Sequence, residues 1–260
     1  MMSLIKKRKN LFIHIPKTGG SSFVGLLKET ANLSHAEMQI PSHMITSIKN
    51  TEVSHVDFKS QERFFKRPDI FDPKNSASLK KQFDIFMIVR HPVQRVVSEF
   101  NFQYNILNGK VGSIKAGIIM RLPKPPKNLE QYISNPHVQN YQTKFLLGRK
   151  LADPTPVSED EFQRVIKTIE DLPIHCGVTD EYSAFLNTFQ EVSRTNLNTQ
   201  VTVRKKTPQE MKIKVNWKLE SKIERLNDYD MRLYLYVKDK LNKNGTTDQF
   251  SFHEPKNFTI

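Results

Sequence analysis

Cysteine is almost absent from this chain of 260 residues, in which Cys176 is the only one. A single cysteine excludes an intrachain disulfide and fits a reducing compartment. Cys176 lies in the apolar, strand-like run 173–178 and is interpreted as a core residue rather than a nucleophile. Long hydrophobic runs are absent too, since no stretch approaches the ~20 apolar residues of a membrane helix. The basic N-terminus lacks the apolar core of a signal peptide, so we expect a cytoplasmic protein without a membrane span.

Acidic residues are outnumbered, with 27 Asp and Glu against 40 Lys and Arg, for a formal net charge of +13. An excess of this size favours anionic partners, namely nucleotide cofactors, acidic glycans, nucleic acid or a lipid surface. The eight histidines are scattered, and none pairs with another at the helical spacing of a metal site. We therefore predict no bound metal.

Glycine is scarce, with 9 in the whole chain, yet two adjacent glycines follow the apolar run 11–15. That run predicts a strand, and the helical spacing of apolar residues beyond position 21 predicts a helix. A glycine loop between a strand and a helix N-terminus gathers orphan N–H groups and the positive end of the helix dipole, and Lys17 adds a charge. The phosphate cradle predicted here consists of Lys17, Thr18, Gly19, Gly20, Ser21 and Ser22.

A second strand–helix junction follows the most apolar run of the chain, residues 83–89. A run that is apolar at nearly every position predicts a strand covered on both faces of a parallel sheet. Arg90 stands at its carboxyl end, where ligands bind in open α/β sheets. Pro92 suits the first position of the next helix, and Ser98 follows about two turns later. The alternative is a plain turn whose arginine caps carbonyl groups.

The first motif, residues 16–22, is not a Walker A loop, because its lysine precedes the glycines. Its order Pro-Lys-Thr-Gly-Gly-Ser-Ser resembles the 5′-phosphosulfate loop of sulfotransferases that use 3′-phosphoadenosine 5′-phosphosulfate (PAPS), closest to the carbohydrate-type branch. Residues 90–100 resemble that family's pattern R-x-P-x-x-R-x-x-S-x-F/Y residue for residue. A tight turn with a solvated lysine is the alternative for the first motif.

The resemblance implies a role for each matching residue. The segment 18–22 would cradle the 5′-phosphate, and Arg90 and Ser98 would hold the 3′-phosphate. Lys17 would stabilise the charge that develops on the bridging oxygen and leaving phosphate. A basic loop with Arg204 and Lys205 would reach over the cofactor phosphates, although plain surface charge explains these two residues equally well.

Two further segments resemble the carbohydrate branch. Residues 140–148 are similar to its N-x-Q-T-R/K-x-L-x-G segment beside the cofactor, or form an ordinary amphipathic helix. The stretch after Ser54 resembles the H-V-x-F segment of uronyl and heparan 2-O-sulfotransferases, whose histidine is the catalytic base. His55 is therefore our candidate base, with Glu52, Asp57 or a merely packed histidine as alternatives.

Alternating strands and helices predict an α/β fold: a P-loop-like, three-layer domain with a mainly parallel central sheet flanked by helices. We expect a single domain over residues 1–245, with 101–141 as an excursion on the acceptor side, and a tail over 246–260. Helices are predicted over about 158–171 and 179–192, and one long helix over about 218–241. A capping box is predicted at residues 158–161.

These observations predict a PAPS-dependent sulfotransferase that acts, without metal, on a hydroxyl of a carbohydrate or glycoconjugate, including acidic glycans. A P-loop-type kinase is the alternative; it is disfavoured because Arg90 stands where kinases place a carboxylate for Mg²⁺. A basic nucleic-acid-binding module ranks lower, since no such motif is present and the basic residues are dispersed. Golgi relatives carry a membrane anchor, so a trimmed catalytic domain is the alternative to a cytoplasmic enzyme.

Overall fold

The structure is a computed structural model that describes residues 9–30, 46–48, 51–54, 80–81, 83–107, 126–149, 153–197 and 213–245. These residues form five strands: β1 Lys9–Ile13, β2 Thr46–Ile48, β3 Thr51–Ser54, β4 Phe83–Val89 and β5 Ile174–Val178. The α-helices described are α1 Gly20–Thr30, α2 Pro92–Leu107, α3 Leu129–Ile133, α4 Tyr141–Leu146, α5 Glu159–Asp171, α6 Tyr182–Ser193, α7 Trp217–Leu226 and α8 Asp228–Gly245.

The five strands form one sheet in the order β2-β3-β1-β4-β5. Strands β3, β1, β4 and β5 are parallel, whereas the edge strand β2 runs antiparallel to β3. The predicted α/β fold with a mainly parallel sheet is thus confirmed. The register places Ile13 of β1 beside Ser54 of β3 and Met87 of β4. Parallel strands end at a common edge, and loops that begin there can meet.

Buried side chains cover both faces of the sheet, which explains the continuous apolar run of β4. Alternate residues of a strand point to opposite faces, and on β4 these are Met87 and Phe86, each fully buried. The Met87 face packs against α5 and α8, and the Phe86 face against α1 and α6. A third cluster joins α2, α3 and α7. Helices therefore flank the sheet on either side, as the sequence predicted.

Segment 101–141 was expected to leave the core, but its two described ends pack into it. Asn101 lies buried on α2, and Tyr132 and Ile133 of α3 are each 1% exposed. Residues 108–125 of this segment lie outside the described residues, so the excursion over 101–141 stays a prediction.

The C-terminal helical region contains two helices where the sequence predicted one. The expected single helix over 218–241 is wrong, because α7 and α8 meet at Asn227. The Asn227 side chain donates to the Ile223 carbonyl at 2.8 Å and accepts from the Asn140 N–H at 2.9 Å. The Asn227 side chain thus joins the last turn of α7 to the segment before α4, and the local sequence has no glycine or proline to signal the break.

The start of α5 agrees with its prediction, whereas the edge strand β2 was not predicted. The capping box at α5 is confirmed: the Glu161 N–H donates to the Ser158 hydroxyl, and the Ser158 N–H donates to the Glu161 carboxylate. The strand β2 was missed, because its three residues are too few to show a period. Within the part of the chain that the structure describes, no helix is long and apolar enough to cross a membrane.

Candidate active site

The loop between β1 and α1 turns sharply at two left-handed residues. Lys17 has φ +69° and Gly19 has φ +85°. A positive φ is uncommon for a residue with a side chain, so this turn holds Lys17 in a backbone conformation that few such residues adopt. Thr18 is buried and its hydroxyl donates to the Ile15 carbonyl at 2.8 Å. This hydrogen bond within the loop holds its conformation before α1 begins.

The N-terminus of α1 presents donors without a neutralising carboxylate. The N–H groups of Ser22 and Phe23 donate to the Gly19 carbonyl at 3.0 and 3.3 Å, closing the first turn. The N–H groups that precede them in a helix have no intrahelical acceptor. The first turn of α1 contains no acidic residue. This end of the helix can therefore bind an anion through its N–H groups and its dipole.

The two glycines of the loop have different reasons: Gly20 lies against a side chain, and Gly19 has a positive φ. A Cβ on Gly20 would lie 2.2 Å from Cδ2 of His14, so the buried imidazole leaves no room for a side chain there. A Cβ on Gly19 would come within 3.4 Å of Thr179 and Tyr182, which follow β5. The Tyr182 hydroxyl also approaches the Gly19 carbonyl at 3.5 Å. His14 is thus a packing residue beneath the loop.

Arg90 connects the second motif to the first. Its Nη1 donates to the Lys17 carbonyl at 3.3 Å, across 73 positions of sequence. Burial lowers the pKa of the Arg90 guanidinium from its ordinary value, the Asp180 carboxylate raises it, and Arg95 lowers it further. An arginine stays charged under such shifts. The carboxyl ends of β1 and β4 therefore share one half-buried cation.

The Lys17 ammonium lies over α2. Its Nζ is 4.2 Å from the centre of the Phe102 ring. Ser98 is half-buried and stands one turn before Phe102, and residues four apart share a helix face. Lys17 and Ser98 thus belong to one surface, next to the loop.

Strand β5 adds residues that the sequence analysis did not assign to the site. Asp180 follows β5, and its carboxylate raises the pKa of Arg90. The same carboxylate accepts a hydrogen bond from the Tyr234 hydroxyl at 2.6 Å. Tyr182 contacts Gly19, as described above. The position of these residues after a third parallel strand was the available signal. Three strand ends therefore contribute to the site.

Three predicted site residues cannot be placed. His55, Arg204 and Lys205 lie outside the described residues. Their roles stay predictions. The described part of β3 ends at Ser54, level with Ile13 at the start of the loop.

Comparison with known protein families gives a match over most of the chain. A protein-family model described as the sulfotransferase family matches residues 4–237. This chain belongs to the sulfotransferase family. The region matched contains both motifs of this sulfotransferase, with the β1 loop and the β4–α2 junction. No curated protein gives a significant match. Family membership supports sulfuryl transfer by this enzyme over the kinase and nucleic-acid-binding alternatives.

Proposed function

We propose that this sulfotransferase transfers the sulfuryl group of PAPS to a hydroxyl of a carbohydrate or glycoconjugate. One observation carries the proposal: the hydrogen bond from Arg90 to the Lys17 carbonyl joins two cationic motifs at the ends of adjacent parallel strands. Two such groups side by side suit a ligand with two separated anionic ends. The nucleotide of PAPS has this form, with phosphate groups at its 3′ and 5′ positions.

The residues present fit that ligand. A 5′-phosphate needs clustered N–H donors and a backbone that can approach it closely, and the left-handed Gly19 and the N-terminus of α1 offer both. A 3′-phosphate needs a fixed cation, and the half-buried Arg90 is one. Charge-assisted hydrogen bonds to phosphate are strongest where water is excluded. The loop, α1 and the end of β4 therefore suit a P-loop-like mode of binding.

Each residue has a distinct task in this proposal. The segment 18–22 binds the 5′-phosphate, and Arg90 and Ser98 bind the 3′-phosphate. Arg204 and Lys205 add positive charge over the phosphates. PAPS, when bound, supplies the sulfuryl group that the acceptor hydroxyl receives. Lys17 stabilises negative charge on the leaving phosphate, and His55 accepts the proton of the acceptor hydroxyl.

The acceptor class rests on the resemblance to the carbohydrate branch in residues 14–22 and 140–148. The net charge of +13 favours an acidic glycan among such acceptors. We assign residues 1–245 to one catalytic domain and 246–260 to a tail. The segment 101–141, which includes residues 108–125 between α2 and α3, is the proposed wall of the acceptor cleft. These assignments depend on sequence resemblance and on the place of the segment in the sequence between the two site helices.

The proposed cofactor predicts a specific pattern of thermal stabilisation. Adenosine 3′,5′-bisphosphate should raise the Tm in the presence of EDTA, since a ligand at one hundred times its Kd adds about 2.7 kcal/mol. Adenosine 2′,5′-bisphosphate, which has the same charge with one phosphate displaced, should stabilise less. ATP should also stabilise weakly, with or without Mg²⁺. Equal stabilisation by ATP with Mg²⁺, abolished by EDTA, would instead support the kinase alternative.

Arg90→Ala should weaken binding of adenosine 3′,5′-bisphosphate and leave the fold intact. A hydrogen bond to a charged group contributes about 1.5–3 kcal/mol, so we expect the Kd to rise at least about tenfold. Calorimetric titration measures the Kd, and circular dichroism checks the fold. Arg225→Ala is the matched control, since Arg225 is exposed on α7. An unchanged Kd in Arg90→Ala would move the 3′-phosphate site elsewhere.

A further inference from the structure

The main chain of Arg90 is held by one side chain from another part of the sequence. Gln142 of α4 is fully buried. The Arg90 N–H donates to Gln142 Oε1 at 2.9 Å, and Gln142 Nε2 donates to the Arg90 carbonyl at 2.8 Å. Arg90 is the first residue beyond β4, so strand pairing has ended there. The Gln142 amide takes the place of the lost strand partner on both polar groups of the Arg90 main chain.

Gln142 is itself fixed by a carboxylate from α8. Asp230 is fully buried, and its Oδ2 accepts from the Gln142 N–H at 3.0 Å. Its Oδ1 accepts from both the N–H and the hydroxyl of Thr143 at 2.8 Å. Asp230 thus caps the N-terminus of α4, where the described N-cap residue, Asn140, makes no side-chain cap bond of its own.

This cap matters because α4 has only six residues and could not be stable alone. The anchor, by contrast, is firm: Leu233 and Val237 bury one face of α8 in the core against the sheet. Asn140 ties the two helices together a second time, since the Asp230 N–H donates to its side chain at 3.2 Å. Burial raises the pKa of Asp230, while the charge of Arg95 and the bonds from Thr143 and Gln142 lower it.

We infer that Gln142, held in place by Asp230, is a positioning residue that directs the Arg90 guanidinium toward the 3′-phosphate of the nucleotide. The inference rests on the proposed function. The direction of a Cα–Cβ bond follows from the main chain, so two hydrogen bonds to that main chain fix where the guanidinium begins. A guanidinium fixed in advance loses less conformational freedom when the phosphate binds. The continuous path runs from the core helix α8 through Asp230 and Gln142 to Arg90.

The test compares two nucleotides that differ only in the 3′-phosphate. Gln142→Met keeps the side-chain length and removes both bonds to Arg90. It should weaken binding of adenosine 3′,5′-bisphosphate by up to about tenfold, because the Arg90 side chain must then be ordered when the phosphate binds. Binding of adenosine 5′-phosphate should change little. In an Arg90→Ala background, Gln142→Met should add no further loss for the bisphosphate, because the directed group is gone.

A matched control and a second variant complete the design. Gln139→Met removes a comparable bond, from Gln139 Nε2 to the Ile133 carbonyl at 3.1 Å, and should leave both affinities unchanged. Gln142→Glu is isosteric, keeps an acceptor for the Arg90 N–H and sets an oxygen against the Arg90 carbonyl. It should shift the two affinities in the same direction as Gln142→Met, and it serves where the methionine variant does not fold.

Each outcome decides the inference. Equal losses for both nucleotides, or a loss that persists in the Arg90→Ala background, would make Gln142 a general structural residue. Wild-type affinity in both Gln142 variants would also overturn the inference while the proposed function stands. Failure of the wild-type enzyme to bind adenosine 3′,5′-bisphosphate would overturn the proposed function, and the inference with it.

Discussion

Replacing Lys17 by alanine should lower kcat by about 100- to 1,000-fold, the range seen when one preorganised stabiliser of transition-state charge is removed. The KM for PAPS should change much less. The ammonium interacts more strongly with the leaving phosphate as that group gains charge, so its effect falls mainly on turnover. Steady-state kinetics with varied PAPS measures both constants.

The backbone conformation of the loop is the same for lysine and alanine at position 17. Lys17 has φ +69°, and alanine at that position carries the same Cβ and the same backbone cost. The contact between Lys17 Nζ and the Phe102 ring is lost, but a cation–π contact at a partly exposed site contributes only about 0.5–1 kcal/mol to stability. The loss of transition-state stabilisation should be about 2.7–4 kcal/mol. A small fall in Tm with a large fall in kcat is therefore the expected signature.

Lys167→Ala is the control for Lys17→Ala, because Lys167 lies on the exposed face of α5 beside Asp171. It should leave kcat unchanged. An effect of Lys17→Ala on cofactor affinity alone would contradict the proposed role and would make Lys17 a simple phosphate-binding residue.

His55→Ala should lower turnover by about 100- to 10,000-fold, the range for loss of a general base. A sugar hydroxyl is a poor nucleophile near neutral pH, and a neutral imidazole can accept its proton. The described end of β3 supports the candidate, since Ser54 is level with Ile13 at the edge where the loop begins. His55 is the next residue in the sequence. Binding of adenosine 3′,5′-bisphosphate should stay intact.

The pH profile separates a base from a packed histidine. If His55 is the base, the rate should fall on acidification, because the protonated imidazole cannot accept a proton, and this fall should be absent in His55→Ala. His137→Ala serves as the control, since the His137 ring bonds to Asn135 before α4 and has no role in the proposed site. Near-normal turnover in His55→Ala would remove this residue from the mechanism and leave Glu52 and Asp57 to be tested.

The elements that support the candidate site could be predicted because their signals are local. The change from a strand period to a helical period around Gly19 and Gly20 marked β1, the loop and α1. The apolar run before Arg90 and the proline after it marked β4 and α2. Each of these signals spans a few neighbouring residues, so a single sequence shows them.

The contacts that organise the site are of another kind. Gln142 reaches Arg90 across 52 positions, and Asp230 reaches Gln142 across 88. Neither pairing leaves a trace in local periodicity. The break at Asn227 has a similar cause, since the bond that its side chain accepts from the Asn140 N–H spans 87 positions. The sequence could therefore single out residues 140–148 as a segment of interest. It could not predict that Gln142 bonds to the main chain of Arg90.

The adjacency of β1 and β4 has a consequence for how this enzyme can diversify. The spacing between the loop and Arg90 follows from the ladder between two neighbouring strands, about 4.8 Å apart. It does not depend on the length or composition of the chain between them, nor of the chain after α2. Insertions, deletions and substitutions in residues 108–125 therefore leave the spacing between the loop and Arg90 unchanged. Under the proposed function, a lineage built on this sheet can change its acceptor by altering the segment 101–141 while the donor chemistry is inherited intact.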